Sequence, residues 1–305
     1  MRVCFVGYGS IAKRHIGNMK TLYGDECIID VLRHSSSGTE ELQGVDQVFY
    51  DWSDIKIDYE AIFITNPTVK HFDTLKIATE RTKNVFIEKP VFEDYKKPLD
   101  ELKLADDGIY YVACPLRYTA IIDYLKNNID FGSVYSMRAI SSSYLPDWRK
   151  TDYRETYSAK KKLGGGVALD LVHEWDYISY LIGYPLTVRS IIKRSSDLKI
   201  DSDDTAIYIA DYEDKVVELH LDYFGRKAIR KLELYGKDDT IVADFVDSKI
   251  TWLKEEKEMI FEETRDDYQK KELRHFFDIV DGKTTNDSDI CHALKILQIA
   301  KGEWN

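Results

Sequence analysis

The chain has 305 residues, a length that predicts two domains of about 150 residues each. Hydrophobic residues make up 44% and charged residues 32%, a composition that is typical of globular proteins and argues against disorder. A formal net charge of -11 disfavours a nucleic-acid partner, because such binding needs a basic surface. No apolar run approaches the ~20 residues of a membrane span, and the first residues lack a signal-peptide layout, so we expect no membrane partner.

The cysteines lie far apart in the chain and form no CxxC pair; they are Cys4, Cys27, Cys114 and Cys291. This spacing favours reduced, mostly buried thiols over a disulfide framework or a zinc site. We therefore expect a cytoplasmic protein that holds no metal.

Residues 1–120 alternate short apolar runs with segments of helical length. The runs are Arg2–Val6, Ile28–Leu32, Ala61–Thr65, Val85–Glu88 and Tyr110–Cys114. Short apolar runs separated by helices are typical of buried parallel strands in βαβ units. The pattern predicts an α/β fold whose first domain, residues 1–120, has a Rossmann-type, doubly wound parallel sheet.

A glycine motif of the form G-x-G-x-x-A follows the first predicted strand and opens a helix: Gly7, Tyr8, Gly9, Ser10, Ile11 and Ala12. Gly7 permits a tight turn, Gly9 lets the backbone approach a pyrophosphate, and Ala12 allows close packing of helix and strand. The first amides of the helix then face the anion. Glycines also serve ordinary turns, but the strand–turn–helix context favours dinucleotide binding.

The second predicted strand ends at the place where a residue that contacts the ribose is expected. The residues there are Arg33, His34 and Ser35. An NAD site would favour Asp or Glu, whereas an arginine with nearby hydroxyls suits a 2′-phosphate. We therefore predict NADP as the cofactor; NAD is the alternative if Arg33 is only a solvated charge. Asp30 lies within the strand and is less well placed.

From Gly132 onward, apolar and polar residues alternate in segments that are joined by short turns. The segments are Ser133–Ser143, Leu186–Arg194, Thr205–Tyr212, Val216–Phe224, Arg230–Tyr235, Thr240–Phe245 and Lys249–Leu253. This alternation predicts an antiparallel sheet with one covered face. We expect a second domain over residues 121–305, in which a helix at Val167–Ile182 interrupts the strands and two amphipathic helices lie near 266–280 and 288–302.

The helix at Val167–Ile182 has an apolar side and, opposite it, a stripe of Asp170, His173, Tyr177 and Tyr180. Such a stripe suits the floor of a cleft that binds a polyol. The alternative is a surface helix with a chance histidine. Asp176, on a neighbouring track, is a second acidic candidate.

Residues 144–162 are rich in cations and aromatic side chains and lack the alternation of a strand. Arg149, Arg154 and Lys160–Lys162 could pair with phosphate or carboxylate, and Trp148, Tyr153 and Tyr157 could stack on a sugar or base. We predict that this loop binds an anionic sugar. The alternative is a basic surface segment that contacts another subunit.

Four segments together resemble the glucose-fructose oxidoreductase / inositol dehydrogenase / rhizopine catabolism (Gfo/Idh/MocA) family: the glycine motif, Ile62–His71, Phe86–Pro90 and Gly164–Asp176. The resemblance covers nearly the whole chain. It implies a Rossmann domain followed by an α/β domain with an open, mainly antiparallel sheet. It also implies NAD(P)-dependent redox chemistry on a secondary alcohol of a sugar derivative, in a homodimer or homotetramer formed through that sheet.

The resemblance also implies roles for individual residues. Lys89 would lie beside the nicotinamide and the reacting hydroxyl, with Glu88 as its support or merely as a strand-end ion pair. The cofactor would further contact Thr65, Asn66, Pro67, His71 and Arg117, and Arg117 would also reach the substrate. Two departures are visible: Pro115 replaces a usual Asn, and Asp170 precedes His173 by three residues where many relatives have four.

The expected chemistry needs a hydride acceptor and a base for the hydroxyl proton. Histidine titrates near neutral pH, which suits His173, whereas Lys89 could stabilise the alkoxide or act as the base itself if desolvated. The sequence leaves both assignments open. It also leaves two other functions: a non-catalytic NAD(P)-dependent sugar sensor, which the presence of both residues disfavours, and an NAD-assisted glycosidase.

Overall fold

The structure is a computed structural model that describes residues 1–34 and 42–304. The chain divides into two compact units. The first unit comprises Met1–Ala113 and Arg265–Leu294, and the second comprises Cys114–Thr264 and Lys295–Asn305. The segment Arg265–Leu294, which we expected in the second domain, therefore packs with the first.

The first unit is built on a six-stranded sheet in which all neighbouring strands are parallel. Its strands are β1 (Arg2–Val6), β2 (Ile28–Leu32), β3 (Gln47–Phe49), β4 (Ala61–Ile64), β5 (Asn84–Ile87) and β6 (Ile109–Val112). The order β3-β2-β1-β4-β5-β6 is that of a Rossmann sheet, as predicted. The short edge strand β3 was not foreseen, because its three residues are too few to show a pattern.

Helices of the first unit include α1 (Ser10–Tyr23), α2 (His71–Ala78) and α6 (Arg265–Val280). The α6 helix joins this unit because its aromatic residues complete the core beside the sheet. Phe276 packs edge-on against Phe63 and Phe86, which stack on each other. Burial of such large rings stabilises the packing of α6 in this unit.

The second unit contains an eight-stranded sheet. Its strands are β7 (Val134–Tyr144), β8 (Thr187–Lys193), β9 (Thr205–Asp211), β10 (Val216–Asp222), β11 (Phe224–Gly236), β12 (Thr240–Asp244), β13 (Lys249–Trp252) and β14 (Lys257–Ile260). The order is β14-β13-β12-β11-β7-β10-β9-β8, and within this sheet β7 and β10 are the one parallel pair among the strands that the structure describes. The mainly antiparallel sheet was predicted; β14 was not.

Helices of the second unit include α3 (Ala120–Asn128), α4 (Val167–Asp170) and α5 (His173–Ile182). The last helix, α7 (Ile290–Ala300), begins in the first unit and ends in the second. One face of the eight-stranded sheet packs on the apolar side of α5, where Trp175 meets Tyr208 edge-on at 5.4 Å. The predicted helix at Val167–Ile182 is in fact two helices, because Leu171 leaves the helical region with φ -102 and ψ 23. Within residues 1–34 and 42–304, no helix is both long and apolar enough to pass through a membrane.

Candidate functional site

The glycine turn of the first unit has the geometry of an anion cradle. Gly7 has φ +98, and a Cβ there would lie 2.9 Å from backbone atoms of Asn66, so that a larger residue does not fit. Gly9, in contrast, has no atom within 4 Å of a Cβ position. It caps α1 without a side-chain hydrogen bond, and the first turn carries no acidic residue. The exposed amides are thus suited to a pyrophosphate.

Groups around this turn complete the fit to a dinucleotide. Thr65 Oγ1 donates to the carbonyls of Val6 and Gly7 at 3.1 and 3.2 Å, which ties the end of β4 to the turn. Asn66 Oδ1 is buried and has no hydrogen-bond partner in the part of the chain that the structure describes. The ammonium of Lys13 lies over the Tyr8 ring, 5.0 Å from its centroid, and adds positive charge beside the turn. The residues present therefore fit the cofactor.

At the end of β2, Arg33 is the charged candidate for contact with the cofactor. Its backbone N–H donates to the Phe49 carbonyl at 2.9 Å, and its side chain is half-buried. Asp30 is fully buried and accepts hydrogen bonds from Arg2 and Tyr59, so that its carboxylate has a structural role within the first unit. His34 is exposed, and Ser35 lies outside the described residues.

Lys89 follows β5, and its peptide bond to Pro90 is cis. The preceding Glu88 accepts a hydrogen bond from His15 of α1 at 2.6 Å and another from the Lys89 backbone N–H at 3.2 Å. Burial raises the pKa of Glu88, but the hydrogen bond from His15 and the nearby positive charges outweigh it and lower this pKa. Glu88 is therefore ionised and joins the lysine loop to α1.

His71 is buried and binds backbone groups of its own unit. Its Nε2 lies 2.9 Å from the Asn66 carbonyl, and its Nδ1 lies 3.1 Å from the carbonyls of both Pro90 and Val91. Burial lowers the pKa of His71. The ring thus holds the loop after β4 against the loop that carries Lys89. The cofactor contact that we expected of His71 stays a prediction.

In the second unit, Asp170 is the centre of a cluster of aromatic and charged side chains. Tyr223 donates its hydroxyl to Asp170 at 2.5 Å, and the negative charge of Asp170 raises the pKa of Tyr157. Trp148 packs edge-on against Tyr223, and the guanidinium of Arg149 lies over the Tyr157 ring. The structure thus brings together four of the predicted substrate residues and adds Tyr223.

Two other predicted substrate residues lie apart from this cluster. Arg154 forms an exposed, bidentate pair with Asp152, which lowers the pKa of that carboxyl group to about 2. Tyr153 accepts a hydrogen bond from the Lys199 backbone. Arg154 lines an open cavity of about 510 Å³ with Lys160, Arg194 and Lys199. The geometry gives Tyr153 and Arg154 no contact with Asp170 or His173 among the described interactions.

Arg117 and Asp176 bind each other. The Arg117 side chain is 3% exposed, and its Nε and Nη2 donate to the two oxygens of Asp176 at 2.9 and 2.7 Å. The guanidinium also lies over the Tyr180 ring at 4.9 Å. The pair anchors the segment before α3 to α5, and the cofactor and substrate contacts that we expected of Arg117 stay predictions.

His173 begins α5 and meets a group that the sequence analysis did not single out. Its Nε2 lies 2.9 Å from Nη2 of Arg230 on β11, and Nε of the same guanidinium lies 2.9 Å from Glu174. Burial raises the pKa of Glu174, with the charge of Arg230 opposing it, and Tyr177 is buried beside this carboxylate. The predicted polar stripe is therefore wrong at Tyr177, which lies in the core.

A signal for Arg230 is present in the sequence. Arg230, Leu232 and Leu234 alternate along β11, and the two leucines are fully buried. A charged residue in line with two core residues points inward and requires a buried partner. That partner, Glu174, is adjacent to the candidate histidine.

Comparison with known proteins gives the family. Residues 1–107 match the profile described as "Oxidoreductase family, NAD-binding Rossmann fold", and residues 124–242 match "GFO/IDH/MocA C-terminal domain". "Uncharacterized oxidoreductase YrbE" of Bacillus subtilis (strain 168) is 23% identical over 301 residues, which span 93% of this chain and 83% of that protein.

Solved structures show the same fold. "Levoglucosan dehydrogenase, complex with NADH" superposes with a TM-score of 0.83 at 17% identity and covers 99% of this chain and 95% of that one. "UDP-N-acetylglucosamine 3-dehydrogenase GnnA from Acidithiobacillus ferrooxidans" gives 0.79 at 16% identity, with 100% and 96% covered. The chain belongs to the Gfo/Idh/MocA family of oxidoreductases, whose first domain is an NAD-binding Rossmann fold.

Proposed function

We propose that the protein transfers hydride between a secondary alcohol or ketone of a sugar derivative and a nicotinamide dinucleotide. The main support for this proposal is that α1 contributes both to the glycine turn and to the segment that carries Lys89. Its exposed N-terminal amides follow the glycine turn, and its His15 holds Glu88 at 2.6 Å, next to Lys89. The α1 helix thereby connects the glycine turn, where a pyrophosphate would bind, to Lys89, which we propose as a catalytic residue.

We assign separate catalytic and substrate-binding roles to the residues of this chain. A bound nicotinamide supplies the hydride acceptor or donor. Lys89 hydrogen-bonds the reacting oxygen and stabilises developing alkoxide charge. We assign His173, Asp170 and Tyr157 of the second unit to hydrogen bonds with hydroxyl groups of the sugar. These roles suit a polyhydroxylated substrate, because each requires a polar partner at a defined position.

The Lys89→Met variant tests the catalytic assignment. We expect a fall in kcat of roughly a hundredfold or more, while dinucleotide binding measured by fluorescence titration stays near the wild-type value. Lys83→Met, which removes an exposed lysine paired with Asp107, is the matched control. Wild-type turnover in Lys89→Met would refute the assignment. A wild type that binds cofactor and sugar but never turns over would instead indicate a sensor.

The absorbance of reduced nicotinamide distinguishes a dehydrogenase from the remaining alternative, an NAD-assisted glycosidase. A dehydrogenase accumulates reduced cofactor in proportion to the sugar consumed. A glycosidase that lends and recovers the hydride accumulates none, so that product without a rise in absorbance would favour the NAD-assisted glycosidase.

For the cofactor we propose NADP over NAD, on the basis of Arg33. A hydrogen bond between guanidinium and 2′-phosphate is worth about 1.5–3 kcal/mol, or at least roughly tenfold in affinity. Arg33→Asp should shift the ratio of kcat/KM for NADP to that for NAD by at least this factor towards NAD. The control is Lys103→Asp, an exposed cation of the same unit. An unchanged ratio would remove Arg33 from the site.

For the substrate we propose an anionic sugar, such as a nucleotide sugar or a sugar acid. Arg149 is exposed and stands over Tyr157 beside the Asp170 cluster, where a guanidinium can pair with phosphate or carboxylate. The name of the structural neighbour that acts on UDP-N-acetylglucosamine agrees with this class. Arg149→Ala should raise the KM of the sugar by roughly tenfold and leave that of the cofactor unchanged. Arg154→Ala, an exposed arginine of the same loop, is the matched control.

A further inference from the structure

We propose that Asp203 is a positioning residue of the proposed sugar site: it binds the first amides of α4 and thereby fixes Asp170, the last residue of that helix. The sequence analysis did not single out Asp203. The inference rests on the proposed function for the role of Asp170 towards the sugar, but its structural part follows from contacts within the second unit.

The first step is the way in which α4 begins. This helix has four residues, Val167–Asp170, and its N-cap Gly166 forms no side-chain hydrogen bond. Asp203 supplies acceptors from a distant part of the chain. Its backbone carbonyl accepts from the Val167 amide at 3.0 Å, and its Oδ2 accepts from the Ala168 amide at 3.0 Å. A helix of a single turn has little stability of its own, so that these two hydrogen bonds determine where it lies.

The second step is the fit between Asp203 and the glycine run before α4. Gly166 has φ +129, and a Cβ at this position would lie 2.2 Å from Oδ1 of Asp203. A larger residue would strain the backbone and push the carboxylate away from the Ala168 amide. The third glycine of the run therefore leaves the room that Asp203 needs in order to bind α4.

The third step is the connection from α4 to the sugar site. Asp170 is buried, and its Oδ2 accepts a hydrogen bond from the Tyr223 hydroxyl at 2.5 Å, a short distance that is typical of a charged acceptor. The Asp170 amide donates to the Gly166 carbonyl at 2.9 Å, so that the residue follows the start of the helix. A displacement of α4 would therefore weaken the hydrogen bond to Tyr223.

The residue before Asp203 holds the other side of the same site. The Ser202 hydroxyl donates to the Ser158 carbonyl at 2.7 Å, and both side chains are buried. Tyr157, which precedes Ser158, interacts with Asp170, whose charge raises the pKa of the tyrosine hydroxyl. Two adjacent residues thus hold both the loop that carries Tyr157 and the helix that carries Asp170.

The electrostatics indicate that Asp203 acts as a hydrogen-bond acceptor and not through its charge. Burial raises the pKa of Asp203 and the charge of Asp170 adds to this effect, while the Ala168 amide and the charge of Lys161 oppose it. The fold therefore disfavours the ionised carboxylate. An asparagine side chain offers the same acceptor without the charge, which makes Asp203→Asn the conservative variant.

The closing experiment follows the hydroxyl proton of Tyr223 in the full-length protein by NMR. A hydroxyl proton in a short, buried hydrogen bond exchanges slowly with water and resonates downfield, and Tyr223→Phe assigns its signal. In Asp203→Ala we expect this resonance to move upfield or to broaden, because Asp170 is no longer held. In Asp203→Asn it should match the wild type. The matched control is Asp130→Ala, which removes an exposed aspartate that binds the Gly132 amide at 3.0 Å in the same unit.

Ligand binding is measured on the same proteins by calorimetry. The probes are UDP-glucuronic acid, which carries both a diphosphate and a carboxylate, and NADP. Asp203→Ala should weaken binding of the sugar probe by roughly tenfold, the effect of one lost hydrogen bond to a charged group, and leave NADP binding unchanged. Asp203→Asn should bind both probes as the wild type does. A merely structural role would lower the unfolding temperature and leave the resonance and the affinity for the sugar probe unchanged.

The proposal is wrong if the resonance or the affinity for the sugar probe in a folded Asp203→Ala matches the wild type. It is also wrong if the wild type shows no downfield hydroxyl signal. If Asp203→Ala does not fold, Asp203→Glu takes its place. This variant keeps the carboxylate but adds a methylene group where Gly166 leaves no room, so that the same two changes are expected.

These readouts separate the two proposals, because the resonance is measured without substrate or turnover. If the wild type neither binds nor converts a sugar, the resonance alone decides. A shift in Asp203→Ala would then leave the contact between Asp203 and α4 standing while the proposed function is refuted. An active wild type whose resonance does not respond to Asp203→Ala would have the opposite meaning.

Discussion

Asp222 ends β10, and its carboxylate holds together the bend between β10 and β11. Oδ1 accepts from the backbone amides of Phe224 and Gly225 at 3.0 and 2.8 Å and from the Ser142 hydroxyl at 3.0 Å. Oδ2 lies 2.9 Å from Nε2 of His220. Burial raises the pKa of Asp222, but the hydrogen bonds from His220, Ser142 and the two amides outweigh it and lower this pKa below 3.8.

This lowered pKa predicts how the stability of the second unit depends on pH. Because the folded-state pKa lies below the unfolded one, the charged carboxylate stabilises the fold above about pH 4 and loses this contribution as the pH falls through the folded pKa. Asp222→Asn should lower the free energy of unfolding by roughly 1–3 kcal/mol at neutral pH, since it removes hydrogen bonds to a charged group. Urea unfolding of both proteins at about pH 7 and about pH 3 measures the difference.

The difference should shrink in acid, because a protonated Asp resembles Asn. Asp211→Asn, on the exposed face of β9, serves as the control and should have little effect at either pH. A cost of Asp222→Asn that is the same at both pH values would contradict the assigned role of its charge.

Among the candidate site residues, those that belong to local motifs could be identified from the sequence, whereas the contacts that strand register creates between distant residues could not. Gly7, Lys89 and His173 lie in short segments whose spacing carries the information. Arg230 meets His173 because β11 pairs with β7 in a register that sets Arg230 opposite Ser141. Tyr223 reaches Asp170 across 53 residues of sequence. A sequence pattern of a few residues gives no information about contacts between residues so far apart in the chain.

At the scale of elements, the glycine turn before α1 combines two glycines with different needs. Gly7 has a positive φ and no room for a Cβ, whereas Gly9 has open space around it. Gly7→Ala should lower the free energy of unfolding by about 1–3 kcal/mol through backbone strain. Gly9→Ala should leave thermal unfolding near the wild-type temperature but weaken dinucleotide binding by roughly tenfold or more, as expected when amide contacts to a phosphate are blocked.

The two variants, Gly7→Ala and Gly9→Ala, control for each other, because each adds one methyl group to the same turn. Differential scanning calorimetry measures the first effect and fluorescence titration with NADP and NAD the second. Wild-type affinity in Gly9→Ala would mean that the pyrophosphate does not approach this turn. An unchanged stability in Gly7→Ala would mean that the positive φ carries no strain.

The helix after the three glycines shows why periodicity alone misled the prediction. A continuous helix would align Asp170 and His173 on one stripe. The break at Leu171 and Val172 separates them, so that Asp170 bonds to Tyr223 and His173 bonds to Arg230. The shorter interval between the acid and the histidine was visible in the sequence, but its structural result depends on Tyr223 and Arg230, which lie more than 50 residues further along the chain.

At the scale of the whole molecule, the sequence pattern does not show which of the two compact units the helix near 266–280 joins. The amphipathic pattern near 266–280 indicates a helix with an apolar face, and α6 has such a face. Which sheet it covers depends on shape: Phe276 fits between Phe63, Phe86 and Tyr111 of the first unit. Residue type alone does not distinguish the two sheets.

The face of the eight-stranded sheet that points away from α5 carries apolar side chains in solvent. Tyr135 is 62% exposed, Ile191 60% and Ile209 55%, and the residues next to each of them along its strand are less exposed. Charged side chains lie among them, with Arg138 3.7 Å from Glu218 on the adjacent strand. An exposed apolar face with interspersed charges of both signs is suited to an interface between subunits.

We propose that a second copy of the chain covers this face, in a homodimer or a homotetramer. Ile209→Glu places a charge among these apolar side chains and should shift sedimentation from the oligomer to a 35.5 kDa monomer, because an unpaired charge in an apolar contact costs several kcal/mol. Leu104→Glu, at an exposed leucine of the first unit, should leave the oligomer intact. A wild type that sediments as a monomer at micromolar concentration would reject the interface. An oligomer that persists in Ile209→Glu would place the contact on another surface.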